Sequence, residues 1–203
     1  MLDWNNLDRS FVLASQSPRR KMILEKMGIT FDIYKPEIDD ENIYLNSSNI
    51  RGSICDLAFA KVNSITHKLH SSIILGCDTI VSINDMIIGK PENYYEAKKI
   101  LQMLSGKSHK VYTGIACVCR EIDFSKSAVA CTEVFFRNIT DSEIDNYLAD
   151  ENYMDKAGAY AIQGKAMTFI HKIHGCFYNV MGLPIYETIN ICKAYIECMK
   201  GLK

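Results

Sequence analysis

The sequence has no surplus of charge. Its 203 residues hold 23 Lys plus Arg against 24 Asp plus Glu, a formal net charge of −1. No global basic field points to a nucleic-acid polymer as partner, so any anion site has to be local and built from a few placed cations. Long apolar runs are missing too: none approaches the roughly 18 residues of a membrane span. The opening MLDWNNLDRS lacks the basic flank and apolar stretch of a signal peptide. The expectation is a cytoplasmic protein with no membrane partner. The eight cysteines include no C-x-x-C pair and no zinc spacing, which predicts reduced thiols used as small core hydrophobes. Histidines number only five, and the short pairs His67/His70 and His171/His174 have no third ligand near them in sequence. Repeats, low-complexity tracts and linkers are absent as well. What is present is ordinary for a globular chain, 48% hydrophobic and 23% charged. Residues 1–203 are expected to form a single domain, either compact or with a cleft between two lobes.

Hydrophobic patterning and turn residues predict the elements. FVLAS at 11–15 reads as a buried strand, Pro18 opens a helix through Met27, and Gly28 stops it. A strand follows at 31–34, then a polar loop at 36–49 and a helix at 50–69 with one apolar stripe. Residues 72–77 read as a strand ending at Asp78. Val81 and Met86 open short strands around an Asn84-Asp85 hairpin turn. Asn93 caps a helix to Leu104, β segments follow at 109–120 and 127–136, and Thr140-Asp141-Ser142-Glu143 is a capping box. A strand at 168–174 and a last helix after Gly182-Leu183-Pro184 complete the chain. Early alternation with an antiparallel middle predicts an α/β fold with a mixed central sheet.

Four segments and one isolated lysine carry candidate chemistry. Ser15-Gln16-Ser17-Pro18-Arg19-Arg20 joins a strand to a helix start. Arg19 and Arg20 have the wrong sign for that end of the helix dipole, a cost that a bound polyanion reverses. The alternative is a solvated basic turn with a Ser cap. Gly76-Cys77-Asp78-Thr79 places an acid among apolar β-prone residues, expensive unless it is solvated, paired or holding a metal. The alternative is a turn Asp bonded to its own backbone. Gly89-Lys90-Pro91 offers close backbone approach and a point charge for phosphate. Lys61, in a mostly apolar helical stretch, taken alone reads as a lysine snorkelling to solvent. Asp155-Lys156-Ala157-Gly158-Ala159-Tyr160-Ala161-Ile162-Gln163-Gly164 suggests tight packing near a site, with Gln163 able to read a base edge or hold water; a structural turn is the alternative. Scattered cations, one acid and an amide together form what triphosphate binding and hydrolysis require.

The segments SQSPRR, LAFAKV, GCDTIV, IGKP, LSGKSHKVYTG, TEVFF, DKAGAYAIQG and NVMGLP occur in the order seen in the Maf family, and the chain resembles that family over nearly its whole length. The resemblance implies a fold similar to inosine triphosphate pyrophosphatases, an elongated mixed sheet with flanking helices and two lobes around a cleft. It implies hydrolysis of a nucleoside triphosphate to the monophosphate and pyrophosphate, dependent on a divalent cation, Mg²⁺ or Mn²⁺. Asp78 matches the family's proton acceptor, and Ser15, Arg19, Arg20, Lys61 and Lys90 match its polar and basic site residues. Arg19, Thr79 and Gln163 match positions linked to substrate choice, and DKAGAYAIQG looks like the branch acting on dTTP and UTP. Asp78, with Asp40, is the expected metal contact. Asp40 stands where the family commonly has Glu, and Cys77 where a small Ala is common. A homodimer and a role in cell-division arrest are also implied. The rivals are a house-cleaning pyrophosphatase for other non-standard nucleotides and a non-catalytic nucleotide-binding regulator of septum formation.

Overall fold

The computed structural model describes residues 8–201; residues 1–7, where most of the signal-peptide reading falls, lie outside them. The strands are β1 (Phe11–Ala14), β2 (Asp32–Tyr34), β3 (Ile73–Ile83), β4 (Met86–Ile88), β5 (Ser108–Cys119), β6 (Phe124–Phe136) and β7 (Ile170–His174). The helices are α1 (Pro18–Lys26), α2 (Ile50–Asn63), α3 (Tyr94–Leu104), α4 (Asp141–Asp150), α5 (Phe177–Val180) and α6 (Ile185–Gly201). The strands follow the order β2-β1-β3-β5-β6-β7, with β4 on β3. β1 pairs in parallel with β2 and β3, while β4 and β7 pair antiparallel. The fold is therefore the expected mixed α/β type. Among the described residues, no helix is long and apolar enough to cross a membrane.

The chain divides into two compact units. One holds the described residues up to Asp78, Thr113–Ala130 and those from Gly182; the other holds Thr79–Tyr112 and Cys131–Met181.

In the first unit, β1 is wholly buried, as its unbroken apolar run requires of a parallel strand. Val12, Ala14, Ile74, Ala116 and Val118 from the strands pack against Ala58 and Val62 of α2 and against Ile65. Two glycines let α2 lie directly on the sheet. A Cβ on Gly76 would stand 2.6 Å from Val62 Cγ2 and 2.8 Å from the Ala58 carbonyl oxygen, and one on Gly114 2.3 Å from the Ile54 carbonyl oxygen. The helix expected to reach residue 69 stops at Asn63. There the Ser64 hydroxyl donates to the Lys61 carbonyl and the Thr66 hydroxyl to the Asn63 carbonyl, so side chains compete with the helical ladder.

In the second unit, Asn84 (φ 49°) and Asp85 (φ 61°) make the tight turn between β3 and β4. Asn93 caps α3 by accepting from the Glu96 N–H, and Thr140 with Glu143 forms the full capping box of α4. An aromatic cluster of His109, Phe136, Tyr147, Tyr160 and Phe169 meets edge to face.

A second expectation is corrected. β3 does not end at Asp78; it runs without a break from Ile73 to Ile83. The acid interrupts the apolar pattern but not the strand, because β1 pairs with the stretch before it and β4 with the stretch after it.

Candidate active site

The first unit gathers most of the expected residues. The register sets Ala14 against Gly76, so the chain leaves β1 at Ser15 alongside Cys77 and Asp78. In open parallel sheets such strand ends are where ligands bind. Pro18 starts α1 directly after this point, and Ser17 at its cap makes no side-chain cap bond. Ser15 Oγ instead accepts from the Ser17 N–H at 3.2 Å and from Arg20 Nη1 at 3.0 Å. Arg20 is only 8% exposed, and its Nε donates to the Gly182 carbonyl at 2.8 Å. A solvated basic turn does not describe Arg20. Arg19, beside it, is half-buried.

Lys61 is buried, not snorkelled, which overturns its single-residue reading. Its helix lies tight on β3 through Gly76, and this carries the ammonium to Asp78. Lys61 Nζ pairs with Asp78 Oδ1 and lies 2.7 Å from Glu41 Oε1. Asp78 is 9% exposed and therefore paired, not a turn acid bonded to its own backbone. Burial pushes the neighbouring Cys77 thiol up to about 11, which leaves it a packing residue without thiolate character.

Glu41 was missed by sequence reasoning. It is the third acid of Asp39-Asp40-Glu41, and the signal was there in the run but one residue beyond the motif position. The exposed Asp40 uses Oδ1 to accept from the Asn42 N–H at 2.8 Å. Among the described residues, no group of three or more His, Cys, Asp or Glu is placed to hold a metal ion by itself. The two carboxylates that meet here, Asp78 and Glu41, are both paired to the Lys61 ammonium.

The second unit positions the remaining residues. Thr79 follows Asp78 in β3 and is half-buried; Lys90 is exposed just after β4. Gln163 is exposed next to the buried Ile162. The two glycine-bearing segments that looked functional are tied together: the Gly158 N–H donates to the Gly89 carbonyl at 3.0 Å. Gly158 has φ 74°, and a Cβ there would stand 2.9 Å from Val81 Cγ2, so glycine is required twice over.

Comparison with known proteins places the chain among nucleotide pyrophosphatases. The family model described as Maf-like protein matches residues 10–195. Proteins named dTTP/UTP pyrophosphatase from Bacillus cereus, Bacillus anthracis and Bacillus thuringiensis are each 42% identical over 188 residues, covering 92% of this chain and 96% of theirs. A solved nucleoside-triphosphatase / dITP/XTP pyrophosphatase from Mycobacterium abscessus aligns with a TM-score of 0.38 and 13% identity over 64% of this chain and 74% of that one, too low a score to establish a common fold.

Proposed function

The chain belongs to the Maf family, and from that premise we propose that it is a nucleoside triphosphate pyrophosphatase acting on dTTP and UTP. The observation that carries the mechanism is the buried Asp78 carboxylate sharing the Lys61 ammonium with Glu41, beside the strand end where Ser15 and Arg20 meet. The identity of about two in five residues to proteins named for dTTP and UTP supports the substrate.

Asp78 is the general base. Water adds to the α-phosphorus, its proton passes to the Asp78 carboxylate, and the α–β bridging oxygen leaves with pyrophosphate. Lys61 fixes the carboxylate's orientation and gives a positive charge where the phosphates gather negative charge. Arg20, braced by Ser15 and Gly182, is pre-set to bind phosphate oxygens, and Arg19 and Lys90 add further cations. Asp78 and Glu41, with Asp40 adjoining, would hold Mg²⁺ or Mn²⁺. A bound divalent cation supplies charge neutralisation to the triphosphate and polarises the scissile phosphate. Gln163 and Thr79 set the choice of base, Gln163 through its amide donor and acceptor. The enzyme works in the cytoplasm, where its eight thiols stay reduced, and as a homodimer.

A nucleotide panel tests the reading: dTTP, UTP, inosine triphosphate and modified pyrimidine triphosphates, with and without EDTA, scored by monophosphate and pyrophosphate release. The expected result is highest kcat/KM for dTTP and UTP, abolished by EDTA. Preference for inosine triphosphate would favour a house-cleaning role. Binding without pyrophosphate release would favour the regulator.

A further inference from the structure

The segment that displays Gln163 is held in a conformation it would not choose alone. Gly158 and Ala159 are consecutive residues at positive φ, 74° and 60°. An alanine in the left-handed region costs about 1–2 kcal/mol, and such strain persists only where the surroundings over-determine it. Ala159 is fully buried and has no side chain able to bond itself in place. Two bonds flank the strained pair. Before it, the Gly158 N–H donates to Gly89. After it, Tyr160 Oη meets His109 Nε2 at 2.8 Å. Tyr160 and Ile162 are buried, 5% and 7% exposed, while Gln163 stands out in solvent.

His109 is not among the residues that the mechanism uses. It is 2% exposed and lies against the rings of Phe136 and Tyr160. Desolvation holds its pKa down near 4, so the ring is neutral at ordinary pH. A neutral ring has one acceptor nitrogen and one donor, and Nδ1 has no hydrogen-bond partner among the described residues. If Nε2–H donated to the phenol, both the phenol O–H and the Nδ1 lone pair would be left unpaired. If the phenol donates to Nε2, only the Nδ1 N–H is left. The second arrangement is the less costly. A half-paired histidine in an aromatic core is a poor stabiliser of that core, since an apolar Phe-Phe pair at 109 and 160 would leave nothing unpaired.

We propose that His109 is a positioning residue for nucleobase discrimination: by accepting the Tyr160 hydroxyl it latches the strained Gly158–Ala159 turn and thereby sets where Gln163 meets a pyrimidine base. The latch rests on the reading of Gln163 as the base-reading residue. Neither His109 nor Tyr160 touches substrate; both act through the backbone they fix.

The test compares Tyr160→Phe, which removes one oxygen, with the double variant His109→Phe/Tyr160→Phe, which leaves no orphaned polar group in the core. Each is measured for Tm and for kcat and KM with dTTP and, as purine competitor, dGTP, alone and combined with Gln163→Ala. The expected result is a folded double variant whose KM for dTTP rises roughly fivefold, the size of one neutral hydrogen bond, with kcat little changed. Its preference for dTTP over dGTP falls by a similar factor, and Gln163→Ala then adds little. An unchanged KM and preference in a folded variant would overturn the latch. So would a full additional loss from Gln163→Ala, which would show that the pair does not act through that residue. If the wild-type protein turned over neither dTTP nor UTP, the functional reading would fall by itself. The latch would then be judged by amide hydrogen exchange over residues 158–163: faster exchange in Tyr160→Phe supports it, and unchanged exchange overturns it.

Discussion

Replacing Lys61 by Met isolates the charge at the centre of the site, because the thioether keeps most of the buried stem's volume. The side chains of Lys61 and Asp78 are 7% and 13% exposed, so both charges are largely dehydrated. Removing one partner of such a pair costs about 3–5 kcal/mol, chiefly because the other charge stays buried. Glu41 is 41% exposed and can rehydrate, so its share is at most about 1 kcal/mol. The residual exposure of Asp78 argues for the low end, about 3 kcal/mol, which for a chain of this length lowers Tm by about 6–12 °C. Urea denaturation followed by circular dichroism measures it through the midpoint. The double variant Lys61→Met/Asp78→Asn should recover a large part of the loss, since no charge is then left buried. A cost for Lys61→Met under about 1 kcal/mol, or no recovery in the double variant, would refute the claim that the two form a buried pair.

Two further outcomes follow from the geometry. Gly76→Ala places a methyl against the Ala58 carbonyl and Val62, so α2 has to move off β3. Overpacking of this kind costs about 1–3 kcal/mol, and because Lys61 rides on that helix, turnover should fall with stability; wild-type Tm and kcat would contradict it. Glu143 provides a pH signature. The Arg137 guanidinium, helped by the Thr140 N–H and hydroxyl, lowers its carboxyl from an ordinary 4.5 to about 2. With the folded value depressed, the stabilisation is complete above the unfolded value and is lost as pH falls from about 4.5 through about 2. The stability gap between wild type and Glu143→Gln should close across that window, and a constant gap would contradict the assignment.

Much of the fold was legible because local and global signals agree. The Pro18 start and Gly28 stop of α1, the Asn93 cap, the Asn84-Asp85 turn and the Thr140 capping box each appear where turn and cap chemistry puts them. The early end of α2 comes from local side-chain bonds at Ser64 and Thr66, while the misreadings at the site share another cause, tertiary contact overriding local pattern. Asp78 looks like a strand end in sequence, yet strand pairing on both sides of it and the Lys61 ammonium hold it inside β3. Lys61 looks like a solvent-seeking lysine because its neighbours are apolar, and only the close approach over Gly76 shows where its ammonium goes. His109 was not legible, and Glu41 showed only as the last acid of a run, one residue beyond the motif position. Each matters through a partner more than 15 residues away, Lys61 in one case and Tyr160 in the other, a link that residue spacing does not encode.

The central claim is that Asp78 is the base of a dTTP and UTP pyrophosphatase, and Asp78→Asn tests it most directly. The amide keeps the size and removes the proton acceptor, while Lys61 retains Glu41 as partner. Pyrophosphate release from dTTP and UTP should fall by about 100-fold or more at matched folded fraction, the scale of a lost general base. Turnover within about threefold of wild type would contradict the account, since a group contributing so little would not be the base.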